Sequence, residues 1–251
     1  MHSDGCMASR PERSLRRYFD SLYATLGPQG WWPAKSRLEV ILGAILTQNT
    51  SWQNAALALK NLRKHKLLKL AGLRKASRGE IETLIKSAGF FRQKAGTIRS
   101  FLDWLEHRCA GSLAAMFRLP APVLKNELMM IKGLGPETVD AILLYAGGHP
   151  HFVADAYTRR VLSRHGLLPE NASYADAQQF LHSTLPPDPG LFNEFHALIV
   201  EVGKRHCRRS APRCQGCPLE RFLPDLPDKQ RLPLPANPAG ASSAEQLEAR
   251  P

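Results

Sequence analysis

Apolar residues recur at spacings of three and four along most of the chain. Leu38, Ile41, Leu42 and Ile45 form one stripe, Ile81, Leu84 and Ile85 begin a second, and Ile98, Phe101, Leu102 and Leu105 form a third. That period belongs to α-helices that bury one face. Alternation of period two is not sustained over any long stretch. Ser9–Glu12, Ser36–Glu39 and Ser77–Glu80 precede such runs at the S-x-x-E spacing, in which the hydroxyl caps a first-turn amide and the carboxylate reaches back to the serine amide. Gly27-Pro28, Gly89, Pro120, Gly147-Gly148 and Pro186-Pro187 punctuate the segments. The pattern predicts an all-α protein with short connections.

The 251 residues suffice for one large domain or two small ones. From residue 226 onward the chain turns rich in Pro, Ala and Ser and poor in large apolar residues. Such a segment buries too little surface to offset chain entropy, so 226–251 is expected to be a disordered tail. No apolar run approaches the roughly 20 residues of a membrane-spanning helix. The N-terminal stretch lacks an apolar core followed by a small-residue cleavage site. The expectation is a monomeric, cytoplasmic protein, nucleoid-associated if bacterial, with no membrane partner.

Charge sharpens this picture. Lys and Arg number 34 against 22 Asp and Glu, a formal net charge of +12. A surplus of that size favours a polyanionic partner, nucleic acid before others. Five cysteines without an export signal argue against a disulfide framework. Cys6 and Cys109 read as ordinary thiols, whereas Cys207, Cys214 and Cys217 cluster as a metal site would.

Residues 128–142 carry the most specific signal. A helix is expected to end at Gly133, the chain to turn through Leu134-Gly135, and a second helix to start at Pro136. The new helix offers unpaired amides and a partial positive charge, and the bare glycines let a phosphate approach the backbone. Such contacts fix register on DNA without reading sequence. Lys132 reads as a phosphate contact or a solvated charge.

The stretch L-x-x-I-K-G-L-G-P-E-T-V-D-A-I resembles the helix-hairpin-helix of the endonuclease III superfamily of DNA glycosylases. Asp155, 18 residues after Glu137 (155 − 137), matches that family's essential aspartate. The segment 45–50, ILTQNT, resembles the one whose glutamine, here Gln48, enters the gap left by a flipped base. The segment 89–95, GFFRQKA, resembles the family's G-[aromatic]-x-x-x-K-A helix start. The resemblance spans roughly residues 15 to 220. It implies a helical barrel at about 30–146, with the hairpin at 127–146. A second helical domain is implied from 9–29 with 148–225, and a DNA-binding cleft between the two.

Under that resemblance Asp155 stabilises the positive charge that builds on the sugar as the glycosidic bond breaks. An aspartate before a helix is also an N-cap, and Asp155 suits the helix 156–164. Bifunctional family members carry a lysine two residues after the second hairpin glycine, as a Schiff-base nucleophile. Here that position is Glu137, so a monofunctional enzyme is expected. Glu137 is also a residue that the helix dipole favours in a first turn. Trp31-Trp32-Pro33, paired with the 46–50 segment LTQNT, resembles the 3-methyladenine glycosylase branch, and Trp52 follows that segment. Their indoles, with Glu137, are candidates for a pocket that stacks on an electron-poor alkylated purine. Each tryptophan also reads as core. Two rivals stay open: a glycosylase/lyase for oxidised pyrimidines, and a non-catalytic DNA-binding relative.

The spacing Cys207-x6-Cys214-x2-Cys217 resembles three ligands of the family's C-x6-C-x2-C-x5-C loop, which holds a [4Fe–4S] cluster through four thiolates. The fourth position, 223, is Leu223. Three outcomes stay open: a cluster completed by His206, Asp225 or an outside ligand; zinc on the three thiolates and His206; or a loop without metal. Lys204, Arg205, Arg208, Arg209 and Arg213 make the loop basic. It reads as a surface that tracks phosphates with salt-dependent affinity.

Overall fold

A computed structural model describes residues 10–224. The tail expected at 226–251, the capping residue Ser9, the thiol Cys6 and the candidate ligand Asp225 lie outside them. Every regular element among the described residues is helical. They divide into two compact units, one holding residues 32–149 and the other 10–31 with 150–224. Helix α1 (Arg10–Leu26) belongs to the split unit. The continuous unit holds α2 (Arg37–Thr47), α3 (Trp52–Lys64), α4 (Leu70–Lys75), α5 (Arg78–Leu84), α6 (Phe91–Cys109), α7 (Leu113–Met116), α8 (Ala121–Met129) and α9 (Pro136–Ala141). The split unit is completed by α10 (Ala156–Arg164), α11 (Tyr174–Thr184) and α12 (Pro189–Arg205).

In the continuous unit α2 is central, with α3, α6 and α9 packed around it. It is therefore buried on every face from Leu38 to Leu46, not along one stripe. Each such leucine or isoleucine taken out of water contributes about 1.5–3 kcal/mol. Glu39 tolerates burial because its carboxylate accepts the Lys35 amide at 3.0 Å and pairs with Arg63. The expected capping box is thus half formed. The Ser36 hydroxyl accepts the Glu39 amide at 3.2 Å, but Glu39 reaches back to Lys35, not Ser36. The box at Ser77–Glu80 is complete, and α5 buries Ile81 and leaves Leu84 half-buried.

Helix α9 runs directly into a π-helical turn at Ile142–Ala146, where backbone hydrogen bonds reach one residue further back than in an α-helix. Ile142, Leu143 and Leu144 are buried there, while Tyr145 presents its ring to Trp32, with centroids 5.2 Å apart.

The split unit packs around Phe152, Phe192 and Phe195, all fully buried. Helices α10 and α12 approach closely because α12 carries Gly203 at the contact. A Cβ there would lie 2.5 Å from Tyr157 Cδ1.

Candidate active site and nucleic-acid interface

The hairpin in the continuous unit begins earlier than its glycines suggest. Helix α8 ends at Met129, not at Gly133, and the Ile131 amide already bonds to Leu128 O at 3.1 Å in a tighter turn. Gly133 then takes φ +93°. Gly135 caps α9 in an extended conformation, with Pro136 in the first turn. Two forces require glycine at 133. The positive φ is costly for any residue with a Cβ. An added Cβ would also lie 2.0 Å from Thr97 Oγ1 on α6. Lys132 and Glu137 are both exposed on this hairpin. A pair that the sequence reading missed binds its two helices. Lys125 on α8 reaches Asp140 on α9 at 2.9 Å, and the Asp140 side chain is fully buried.

Gln48 is tied to the same hairpin. Its Nε2 donates to Gly133 O at 2.9 Å and to Thr138 Oγ1 at 2.8 Å. The loop carrying Gln48 is supported from below by Lys94, whose Nζ donates to Leu46 O at 2.9 Å and to Ala88 O at 2.7 Å. Burial pushes the Lys94 amine down to about 8. The two carbonyls at the ends of short helices explain why a lysine is placed there. Beside it, Phe90 is 62% exposed and held at φ +44° at the start of α6. Its aromatic side chain therefore stands in water on a backbone in the left-handed region, which is costly for a residue with a Cβ. The G-[aromatic] start of that helix was its only trace in the sequence.

The three grouped tryptophans do not share one unit. Trp32 lies against Gly43 of α2, where a Cβ would stand 3.2 Å from the indole, and it meets Trp52 edge-on at 5.3 Å between centroids. Trp31 falls in the split unit, where Lys204 Nζ sits 5.5 Å from its ring centroid. The chain crosses from one unit to the other between these neighbours, which no pattern of residue types foretells.

In the split unit Asp155 caps α10. Its Oδ1 accepts the Thr158 amide at 2.8 Å. Its Oδ2 faces His196 Nε2 of α12 at 3.5 Å, and both side chains are nearly buried. Burial alone would raise the Asp155 carboxyl. The His196 imidazole, followed by the amide and hydroxyl of Thr158, outweighs burial and holds it below the ordinary aspartate value. The result is a carboxylate kept ionised in a dry setting, the arrangement that stabilises a nearby developing cation. His196 was not singled out in the sequence, because one histidine among the apolar residues of α12 resembles core.

The cysteine loop is fastened to α10 by two arginines. Arg160 Nε donates to Cys207 O at 2.7 Å. Arg164 donates to Arg208 O at 2.6 Å, to Arg209 O at 2.8 Å and to Cys207 Sγ at 3.4 Å. Burial, then the neighbouring Cys207, raises the Cys214 thiol. Burial also raises Cys217, with Cys214 and Cys207 adding to it. The Cys214 and Cys217 thiols thus hold their protons more firmly than a free cysteine does. Position 223 is an exposed leucine, and His206 Nδ1 faces Arg213 O at 3.3 Å. Among the described residues no group of three or more His, Cys, Asp or Glu is arranged to hold a metal ion. Three thiols and a leucine do not fit a four-thiolate cluster. On the basic surface, Arg205 pairs with Glu201 at 2.5 Å, while Arg208, Arg209 and Arg213 are exposed. Cys109 is buried. No described helix is long and apolar enough to cross a membrane.

Comparison with known proteins places this geometry. Residues 42–187 match the HhH-GPD superfamily base excision DNA repair protein family. The chain is 40% identical over 198 residues to the protein named "Putative DNA repair glycosylase MJ1434" of Methanocaldococcus jannaschii, covering 78% of this chain and 89% of that one. It is 27% identical over 179 residues to endonuclease III of Thermotoga maritima, covering 71% of this chain and 78% of that one. Its fold matches an endonuclease III–DNA complex with a TM-score of 0.72 at 20% identity, over 85% of this chain and 95% of that one. It also matches the H. pylori 3-methyladenine DNA glycosylase with a TM-score of 0.67 at 24% identity, over 78% and 97%. The chain belongs to the HhH-GPD superfamily of base excision DNA repair proteins, as a DNA glycosylase with the fold of endonuclease III.

Proposed function

We propose that this glycosylase hydrolyses the N-glycosidic bond of an alkylated purine flipped from duplex DNA, and that it leaves the strand intact. The observation that carries the reading is a buried, ionised Asp155 in a chain with Glu137 where a Schiff-base lysine would stand. As the bond to the sugar breaks, its electron pair leaves with the base and positive charge develops on the sugar ring. The Asp155 carboxylate stabilises that charge, and water then adds to the sugar carbon and gives up a proton. A carboxylate at 137 forms no imine. Lys94, the amine with the lowered pKa, is 3% exposed and donates to two carbonyls, so it is not a free nucleophile.

The hairpin amides at 133–138, with Lys132, Arg208 and Arg209, are assigned to DNA phosphates. Gln48 and the exposed Phe90 are assigned to the disturbed base stack. Trp32, Trp52 and Tyr145 supply aromatic faces for an electron-poor base. A methylated purine already carries a weakened glycosidic bond, which suits an enzyme without a covalent nucleophile. The protein acts on DNA as a monomer in this reading.

The test is base release from methylated duplex DNA, read by mass spectrometry of the free base, with nicking scored before and after hot alkali. Free methylpurine and nicks only after alkali are expected. Asp155→Asn is expected to slow release by about 10²–10³, the usual effect of removing one preorganised electrostatic stabiliser. Nicks before alkali, with borohydride trapping of an adduct, would establish the lyase rival. Tight binding without release of any lesion base would establish a non-catalytic relative.

A further inference from the structure

We infer that His196 is a positioning residue for Asp155, and that it orients and charges the carboxylate from a neighbouring helix. The inference rests on the reading of Asp155 given above. An N-cap aspartate normally uses one oxygen on a helix amide and leaves the other to water. Here Oδ1 is taken by Thr158 N, and Oδ2 is turned into the unit toward His196 Nε2 at 3.5 Å. The Asp155 side chain is 13% exposed and that of His196 7%, so water has little part in holding this oxygen. An imidazole with its proton on Nε2 is the donor that faces it.

The backbone around the pair is built to keep that distance. Gly203, seven residues after His196 on α12 and so on the same face, lets Tyr157 of α10 pack against the α12 backbone. The His196 ring in turn rests edge-on against Phe152, three residues before Asp155, with centroids 6.2 Å apart. His182 of α11 is a further ionisable side chain packed on this loop, and it meets His151 edge-on at 5.9 Å between centroids. Its Nε2 accepts the Phe152 amide at 2.9 Å, and its ring stacks on Phe192. It is thereby committed to the backbone before the aspartate. Asp155 thus has a hydrogen bond from its own helix on one oxygen and an imidazole of α12 at ion-pair distance from the other.

The experiment compares the full-length protein with His196→Leu and His196→Gln, each also combined with Asp155→Asn. The first readout is the ¹³C resonance of the Asp155 carboxyl as pH is varied, assigned by its loss in Asp155→Asn. This readout needs no substrate. His196→Leu is expected to move the Asp155 titration to higher pH, and His196→Gln, whose side-chain amide can donate to the same oxygen, to move it back. The second readout is single-turnover release of methylpurine beside the affinity for a duplex carrying a tetrahydrofuran abasic analogue. His196→Leu is expected to slow release by about tenfold or more, as loss of a hydrogen bond to a charged group does, with affinity unchanged. His196→Gln is expected to recover most of the rate. An Asp155 titration that does not move in His196→Leu overturns the inference. So does a glutamine variant as impaired as the leucine one in both readouts, which would mean packing alone. Unchanged base release in Asp155→Asn would instead sink the catalytic reading of Asp155, and the carboxyl titration would still decide the role of His196.

Discussion

Replacing Gly133 by alanine puts two costs on one atom. The backbone at φ +93° disfavours any Cβ by about 1–2 kcal/mol. That Cβ would stand 2.0 Å from Thr97 Oγ1 and 3.2 Å from Thr97 Cβ, and relieving such an overlap in a packed site costs about 1–3 kcal/mol. If both apply, Gly133→Ala loses about 2–5 kcal/mol, and at about 2–4 °C per kcal/mol for a chain of this size the Tm should fall by roughly 4–20 °C. The two costs can be separated, because Thr97→Ala removes the hydroxyl and methyl but leaves φ alone. In a double-mutant cycle read by thermal and urea unfolding, Thr97→Ala should restore the steric part, a coupling of about 1–3 kcal/mol. Some strain remains, since Cβ of residue 97 stays within 3.2 Å. The reasoning fails if Gly133→Ala melts with the wild type, or if the two changes simply add. The first result would mean that the turn relaxes freely, and the second that α6 is not what confines it.

Four further outcomes follow from the same contacts. Lys94→Met leaves Leu46 O and Ala88 O without their buried donor, and should cost about 2–4 kcal/mol in urea unfolding; a loss under 1 kcal/mol would mean water replaces the ammonium. Lys94 also sets a pH dependence. Its amine titrates near 8 when folded, against 10.5 normally, so between those values the unfolded chain binds more protons and the stability from this residue rises with pH. The gap between wild type and Lys94→Met should therefore widen from pH 8 to pH 10, and a gap that narrows would show the sign to be wrong. Gly203→Ala drives a methyl group to within 2.5 Å of Tyr157; it should lower the Tm and raise the Asp155 carboxyl titration together, and Tyr157→Ala should relieve both. Arg164→Ala should speed amide exchange across 207–217, whereas unchanged protection would show that something other than this guanidinium fixes the cysteine loop.

The sequence exposed those features whose cause lies within a few residues. Ser77 and Glu80 declare their own box, Asp155 declares the cap of 156–164, and the Gly133–Pro136 run declares a turn followed by a helix start. What it hid depends on partners far along the chain. Nothing near Gln48 says that its amide meets Gly133, 85 residues away. The end of α8 at Met129 carries no breaker, since the following Met130 and Ile131 suit a helix. The burial of α2 on all sides follows from its central place in the unit, which its own stripe of apolar residues understates. His196 looks like core until α10 is set beside α12.

The π-helical turn at Ile142–Ala146 has a consequence for comparing chains. A turn of this kind spends one extra residue on the same stretch of axis, so it behaves as a single-residue insertion absorbed without a loop. The residues beyond the turn keep the angular positions they would have on a regular helix one residue shorter. A one-residue deletion within 142–146 would let the segment relax to a regular helix with the following side chains still in register, whereas the same deletion from a plain α-helix would swing them by about 100°. A single-residue gap at 142–146 in an alignment therefore marks a turn that has reverted to regular helix, and the segments on either side of it can be compared residue by residue as if no gap were there.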